Sequence, residues 1–287
     1  MWPAPMNPIV VMAAPTSPDR GRVPAGSRRY GPGMDPVRPA RPLVVAHRGS
    51  SSVAPQNTLA ALEAAWRAGA DLVEVDVQRT RDGAVVVLHD DDVDATTDGT
   101  GAVADLDLAQ VRALDAGAWF SPAYAGQRVP TLAEVLAFLA DRPGIGLLLE
   151  VKGTWDEDAV RAVTEPVLAA GLGGRVLVQG FDEGTVAALA AVAPGLPRAL
   201  LVAEVPDDLV ERCRALGVVA CNPGALALAA RPDLVGRLQA EGWRVMVWTL
   251  DEPEDWAAAV ALGVDAVITD RPDRLRGWLE GRASSSS

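Results

Sequence analysis

The stretch that decides the fold reads GADLVEVDVQRTRDGAVVVLHD and occupies residues 69–90. Its first half contains an apolar run, Leu72–Val77, that is interrupted only by Glu74 and Asp76. A second apolar run, Val85–Leu88, follows the six residues 78–83, which end in Asp82-Gly83, and Ala84. Six residues are too few for a parallel crossover, whereas Asp-Gly favours a tight turn because glycine tolerates positive φ. The stretch therefore predicts a strand that continues into a β-hairpin.

The predicted hairpin brings acidic side chains and an imidazole together. If the turn is centred on Asp82 and Gly83, Asp76 faces His89, and Glu74 faces Asp91. Side chains alternate between the two faces of a strand, so Glu74, Asp76 and His89 should share one face.

Along the chain, strand-like runs alternate with helical patterns. Candidate capping residues mark several helix starts: Asn57, Asp182, Asp270, and the pairs Thr131 with Glu134 and Asp251 with Glu254, which have capping-box spacing. The candidate strands are Leu43–Ala46, Leu72–Val77, Ile145–Val151, Val176–Gln179, Arg198–Val202, Val218–Cys221, Arg244–Thr249 and Asp265–Thr269. Eight such units over this length predict an α/β fold of the (β/α)8 TIM-barrel type, with an open doubly wound sheet as the alternative. The hairpin would extend the barrel after its second strand, and residues 91–130 would form a small insertion over the C-terminal mouth.

Composition divides the chain into three parts. Residues 1–41 are rich in proline and arginine, which predicts a disordered leader; residues 42–282 form the barrel, and residues 283–287 a disordered tail. The formal net charge is −12, and the leader's arginines make the barrel more acidic still, so we expect no nucleic-acid partner and no stable membrane association. Neither a signal peptide nor a transmembrane segment is apparent in the sequence, which favours a cytoplasmic location.

Scarce titratable residues mark the ends of the predicted strands. The two histidines, His47 and His89, and the single lysine, Lys152, each close an apolar run. In a barrel the carboxyl ends of the strands meet at one mouth, where active sites lie. We therefore expect these residues to line a catalytic mouth.

Three carboxylates at the same strand ends form a candidate metal site. Glu74 and Asp76 share one strand, and Glu150 ends the next. An all-oxygen set suits Mg²⁺ or Ca²⁺ and argues against zinc, while ordinary ion pairs with arginines at the rim are the alternative reading. The two histidines have ordinary pKa values near ~6.5 and fit proton transfer at neutral pH.

These groups together predict phosphodiester cleavage. A cation would hold the phosphate, one histidine would accept a proton from the attacking hydroxyl, and the other would protonate the departing alkoxide. Arg48 and Lys152 could bind the anion, or each could form a structural ion pair. Zinc amidohydrolase chemistry would need more histidines, and a serine nucleophile is unsupported because the chain has no Gly-x-Ser-x-Gly motif.

Motifs spread over the whole barrel resemble those of the glycerophosphodiester phosphodiesterases. They are His47-Arg48-Gly49, Pro55-Gln56-Asn57-Thr58-Leu59, the stretch 69–90, Glu150-Val151-Lys152, Gln179-Gly180-Phe181-Asp182, Trp248-Thr249 and the stretch 263–270. The resemblance implies a TIM barrel that hydrolyses glycerophosphodiesters to glycerol 3-phosphate and an alcohol. Three positions depart from the family pattern, namely Gln56, Ala95 and Gly180. These departures bear on substrate preference and rate rather than on the type of reaction.

Roles carried over from the resemblance fall on eight residues. Glu74, Asp76 and Glu150 would bind the metal, His47 and His89 would be the acid–base pair, Arg48 and Lys152 would hold phosphate, and Trp248 would wall the pocket. Two alternatives stay open at this point: a lysophospholipase D-like activity on lipid diesters, and a catalytically weakened barrel that only binds phosphodiesters. The head group, the identity of the metal and the oligomeric state are also left open.

Overall fold

The computed structural model describes residues 41–284. The predicted leader, apart from Arg41, and the last three residues of the predicted tail lie outside the described residues. The final helix continues to Ser284, whose Oγ donates to the Glu280 carbonyl at 3.1 Å. The first two residues of the predicted tail, Ala283 and Ser284, are therefore helical.

In the part of the chain that the structure describes, nine strands form one sheet, and eight of them close it into a parallel barrel. The strands are β1 (Leu43–Ala46), β2 (Leu72–Arg79), β3 (Val85–Val87), β4 (Gly146–Val151), β5 (Val176–Gly180), β6 (Arg198–Val202), β7 (Ala220–Pro223), β8 (Arg244–Val247) and β9 (Ala266–Thr269). Strand β1 pairs in parallel with both β2 and β9, which closes the ring. The predicted TIM barrel is confirmed, and the open sheet is excluded.

Helices follow the strands and, except for the short helix in the insertion, cover the outside of the barrel. Between residues 41 and 284 they are α1 (Leu59–Arg67), α2 (Leu108–Ala113), α3 (Leu132–Ala140), α4 (Glu157–Ala169), α5 (Glu183–Val192), α6 (Leu209–Ala215), α7 (Ala225–Ala230), α8 (Leu234–Ala240), α9 (Pro253–Leu262) and α10 (Pro272–Ser284). None of these has the length and apolar character that crossing a membrane requires.

Alternation along the strands separates two apolar cores. One lies between the sheet and the helices and includes Val73 and Leu147. The other fills the barrel and includes Leu72 and Leu148. Because every second residue of a strand points the same way, side chains two positions beyond Leu72 and Leu148 also point inward. Those positions are Glu74 and Glu150, so the strands aim both carboxylates at the barrel interior.

The hairpin exists, but its register differs by one residue from the predicted register. Val77 pairs with Val87 and Arg79 with Val85, so Asp76 lies opposite Leu88 rather than His89. The loop has three residues instead of two, because the Gly83 amide bonds the Thr80 carbonyl at 2.9 Å and Gly83 takes a φ of +84°. This is a type I turn followed by a left-handed glycine. It shifts every facing pair of the hairpin by one residue relative to the prediction.

The insertion after the hairpin has a small core of its own. Val86 and Leu88 of the hairpin region pack there with side chains of the insertion, namely Val93, Val103, Val111, Ala116 and Val129. The insertion also reaches the loop between β1 and α1, where the Tyr124 hydroxyl donates to the Val53 carbonyl at 2.8 Å. The insertion is therefore fixed to the C-terminal side of the barrel at both of these places.

Candidate active site

The three predicted metal-binding carboxylates lie together inside the barrel mouth. Asp76 on β2 is directly beside Glu150 on β4, and Glu74 points inward one layer below Asp76. One oxygen from each of the three lies within 4.8 Å of the others. Their side chains are buried, with 2%, 1% and 7% of the surface of Glu74, Asp76 and Glu150 exposed. The fold thus gathers three carboxylates into a space that fits one small cation.

Burial and mutual repulsion change the acidity of this cluster. Burial raises the pKa of Glu74 well above its usual value, and the charges of Asp76 and Glu150 raise it further. Burial and Asp76 also raise the pKa of Glu150. Burial alone would raise the pKa of Asp76 as well, but Arg48, His89 and Lys152 outweigh it and lower that pKa. The cluster holds more negative charge than its surroundings compensate, as expected of a set of oxygen ligands for a divalent cation.

Two cations contact the carboxylates from the rim. The Lys152 Nζ lies 2.8 Å from Glu150 Oε1 and 3.7 Å from Asp76 Oδ1. The Arg48 Nε lies 3.3 Å from Asp76 Oδ2. Burial lowers the pKa of Lys152, but Asp76 and Glu150 outweigh it, so that pKa is raised and the ammonium stays charged. Both cations pair with Asp76 or Glu150 and neither forms an ion pair with Glu74, so ion pairing alone does not account for the cluster.

Each histidine at the mouth is held by a carboxylate. The His47 Nδ1 lies 2.7 Å from Asp270 Oδ1, and the His89 Nδ1 lies 2.6 Å from Asp90 Oδ1. An ionised carboxylate can only accept, so in each pair the imidazole donates from Nδ1 and the Nε2 atom is left to exchange a proton.

His89 lies at the same end of the barrel as the carboxylate cluster, although the predicted register is wrong. Strand β3 ends at Val87, so strict alternation no longer governs the side chain two residues later. The Gln78 amide donates to the carbonyls of His89 and Asp90, at 3.2 Å each, and holds this turn of chain. Burial lowers the pKa of His89, while the negative charge of Asp76 opposes that shift.

Two residues that the sequence assigned to helix ends serve the site instead. Asn57 does not cap α1, because the Thr58 Oγ1 accepts the Ala61 amide; Asn57 bonds Asp76. Asp270 bonds His47, and Ser51 Oγ lies 2.8 Å from the same carboxylate oxygen. The pairing of β1 with β9 places residues 47 and 270 side by side, so only the closed barrel could have indicated this contact.

Two aromatic side chains lie just beyond the ends of other barrel strands, Phe181 after β5 and Trp248 after β8. Trp248 follows β8, packs on the interior core and donates from Nε1 to the Asn222 carbonyl at 2.8 Å. Its ring meets Phe181 edge to face, with the ring centroids 5.5 Å apart. Phe181 is 44% exposed and leaves an apolar surface open to solvent. Trp248 and Phe181 thus form a half-buried apolar wall.

Comparisons with known proteins agree with this geometry. A glycerophosphodiester phosphodiesterase of Caldanaerobacter subterraneus subsp. tengcongensis is 36% identical over 240 residues, which cover 81% of this chain and 96% of the relative. A solved phosphodiesterase of Oleispira antarctica, in complex with the product sn-glycerol-3-phosphate, has a TM-score of 0.78 and 30% identity; the match covers 84% of this chain and 97% of that one.

A second solved structure shares the same architecture. The glycerophosphodiester phosphodiesterase of Agrobacterium tumefaciens str. C58 has a TM-score of 0.72 and 28% identity, and the match covers 82% of this chain and 99% of that one. Residues 47–274, which hold every carboxylate and histidine described above, match the glycerophosphoryl diester phosphodiesterase family. The chain therefore belongs to the glycerophosphoryl diester phosphodiesterase family of enzymes.

Proposed function

We propose that this enzyme hydrolyses glycerophosphodiesters to glycerol 3-phosphate and an alcohol, with one divalent cation, Mg²⁺ or Ca²⁺, as cofactor. The observation that carries the proposal is the meeting of three buried carboxylates with two carboxylate-held imidazoles at one barrel mouth. The product bound in the Oleispira antarctica relative supports the choice of substrate. Glu74, Asp76 and Glu150 would hold the cation, since their oxygen atoms match the ligands that both ions prefer.

The protein groups supply the proton transfers and the binding of phosphate. A cation in the carboxylate cluster would polarise the phosphate as a Lewis acid. Arg48 and Lys152 bind the phosphate oxygens from the rim. Water attacks phosphorus and gives its proton to Nε2 of one histidine, while Nε2 of the other gives a proton to the alkoxide as its P–O bond breaks. His47 and His89 are the two histidines, and the atoms balance without a further reactant.

Asp90 and Asp270 keep the two imidazoles in the tautomer that this scheme needs. A proton fixed on Nδ1 leaves Nε2 free to accept in one histidine, and it stabilises the imidazolium in the other. Trp248 and Phe181 wall the pocket and give the non-reacting part of the substrate an apolar surface.

A lipid diester is a second candidate substrate, favoured by an apolar surface on the insertion. Trp119, Phe120 and Tyr124 stack edge to face, with 5.7 Å between successive ring centroids. Trp119 and the neighbouring loop residue Val53 are 43% and 48% exposed. An acyl chain would cover such a surface.

Turnover of a small panel of diesters tests the proposal. Glycerophosphocholine, glycerophosphoethanolamine and lysophosphatidylcholine are each incubated with Mg²⁺, Ca²⁺ or a chelator, and glycerol 3-phosphate and choline release are measured separately. We expect glycerol 3-phosphate from the two soluble diesters, and no product with the chelator. The His89→Ala variant should lose about 10²–10⁴-fold in kcat, whereas Ser52→Ala, in an exposed loop position, should behave as wild type.

Three results would contradict parts of this scheme. Undiminished turnover by His89→Ala would exclude its role in proton transfer. Full activity in the chelator would exclude the cation. Tight binding of glycerophosphocholine without any product over hours would instead identify a barrel that binds phosphodiesters and does not cleave them.

A further inference from the structure

Both polar groups of the Asn57 side-chain amide form hydrogen bonds with the same residue, Asp76 of β2. The Nδ2 group donates to Asp76 Oδ2 at 2.9 Å, and the Oδ1 atom accepts the Asp76 backbone amide at 3.3 Å. Asn57 is itself buried, with 3% of its surface exposed. This contact joins the loop between β1 and α1 to the inward-pointing carboxylate of β2.

The backbone at this position explains why an asparagine occupies it. Asn57 has a φ of +58°, a left-handed conformation that only glycine, asparagine and aspartate adopt at low cost. Glycine would supply the conformation without the amide. Most other residues could supply a polar side chain only with strain. Position 57 thus needs both properties in one residue.

A second left-handed residue stands at the other end of the same loop. Arg48 has a φ of +55°, and its carbonyl oxygen accepts a hydrogen bond from the Asn57 backbone amide at 2.9 Å. The Arg48 backbone amide donates to Glu74 Oε2 at 2.9 Å. The two left-handed residues are therefore joined to each other, and each of them also holds one carboxylate of the cluster.

A neutral donor suits the Asp76 carboxylate better than a third cation would. Arg48 and Lys152 also approach Asp76, but their positive charge competes with a metal ion for it, and both are needed for phosphate in the proposed mechanism. The Asn57 amide fixes the rotation of the carboxylate without adding charge. Groups that orient metal-binding side chains in this way set the affinity of the site.

We propose that Asn57 is a positioning residue of the metal centre, which holds the Asp76 carboxylate in place for the divalent cation. This inference rests on the proposed cation site formed by Glu74, Asp76 and Glu150. It makes a statement about metal affinity, so it can be tested without any substrate.

The test is direct binding of Mn²⁺, a divalent probe with similar oxygen ligands, to the metal-free full-length protein. Free Mn²⁺ is measured by electron paramagnetic resonance in a titration that yields the Kd. Asn57→Gly keeps the left-handed backbone and removes the amide, so its Kd should rise about 10- to 100-fold. Asn57→Ala should weaken binding as much and also lower the melting temperature, because alanine is strained at this φ.

Ser52→Gly is the matched control. It places the same flexible residue at an exposed position of the same loop, and its Kd should equal that of wild type. Circular dichroism establishes that each variant is folded. A wild-type Kd for Asn57→Gly would overturn the inference, as would an equal loss in Ser52→Gly, since that would show general loosening of the loop.

The same titration separates this inference from the proposed function. If wild-type protein binds no Mn²⁺, both the cation site and the role of Asn57 fail. If wild type binds and Asn57→Gly binds equally well, only the role of Asn57 fails.

Discussion

Replacing Glu74 with glutamine should stabilise the metal-free enzyme and abolish its stabilisation by a divalent cation. Glutamine has nearly the same size, and its amide oxygen can still accept the Arg48 backbone amide that bonds Glu74 Oε2 at 2.9 Å. The substitution therefore removes one buried charge and little else. Asp76 and Glu150 repel the charge of Glu74 in the absence of metal. Removing that charge should therefore raise the free energy of unfolding of the metal-free protein.

The stability of the metal-free protein should depend on pH through Glu74. The pKa of Glu74 in the folded protein lies well above its ordinary value of 4.5, so between these two values the folded state binds more protons than the unfolded state. The free energy of unfolding of the metal-free protein should therefore fall as pH rises from about 4.5 to the folded pKa. Glu74→Gln should lack this contribution and show a flatter profile over that window.

The magnitudes are large enough for thermal unfolding followed by circular dichroism. Removing a poorly compensated buried charge should raise the free energy of unfolding of the metal-free protein at neutral pH, by about 1.4 kcal/mol for each pH unit that separates the folded from the unfolded pKa. Mn²⁺ at about 100 times its Kd should stabilise wild type by ~2.7 kcal/mol, a rise in Tm of roughly 5–10 °C. Glu74→Gln should show no such rise, whereas the exposed control Glu204→Gln should keep it.

Either of two results would refute this reasoning. A metal-free Glu74→Gln protein that melts at or below wild type would show that the Glu74 charge does not strain the folded state. A full rise in Tm with Mn²⁺ in Glu74→Gln would show that the cation binds elsewhere.

Three further substitutions test other parts of the structure. Asp270→Asn should lower kcat about 10²-fold with little change in KM, and alter the pH–rate profile, because the amide no longer fixes the tautomer of His47; unchanged kinetics would contradict that role. Trp248→Leu should raise KM about 2- to 10-fold while the Mn²⁺ Kd stays at the wild-type value. Thr131→Ala breaks the capping box with Glu134 and should cost ~1 kcal/mol in chemical denaturation without affecting kcat.

The barrel could be predicted from sequence because its signals are local and repeated. Each strand is a short apolar run, and the following helix often has a recognisable start, such as Thr131 with Glu134 or Asp182. Because the strand–helix unit recurs eight times, one wrongly predicted helix start does not change the predicted fold. One such error concerns α9, which begins at Pro253, while the side chain of Asp251 bonds Thr269 and the Asp270 amide instead of capping the helix.

The carboxylate cluster was also predictable, since two of its members share a strand and the third ends the next strand of the barrel. The contacts that orient the site were not. The pairs Asn57–Asp76 and His47–Asp270 join residues 19 and 223 positions apart, and they depend on how the loop folds and how the barrel closes. A short polar residue near a helix start fits a cap equally well, so the sequence pattern alone favours the commoner use.

The position of His89 depends on tertiary packing and not on the register of the hairpin alone. Strict alternation with the observed register would turn His89 away from Asp76, because the three-residue turn at Gly83 shifts the facing pairs by one. Strand β3 ends at Val87, however, so the alternation does not extend to His89. Leu88 is buried in the small core of the insertion. The core of the insertion therefore anchors the residue next to His89 and so restricts where that imidazole can lie. A barrel that kept the hairpin but lost the packing around Leu88 would keep all three carboxylates and misplace one of the two histidines that we propose for proton transfer.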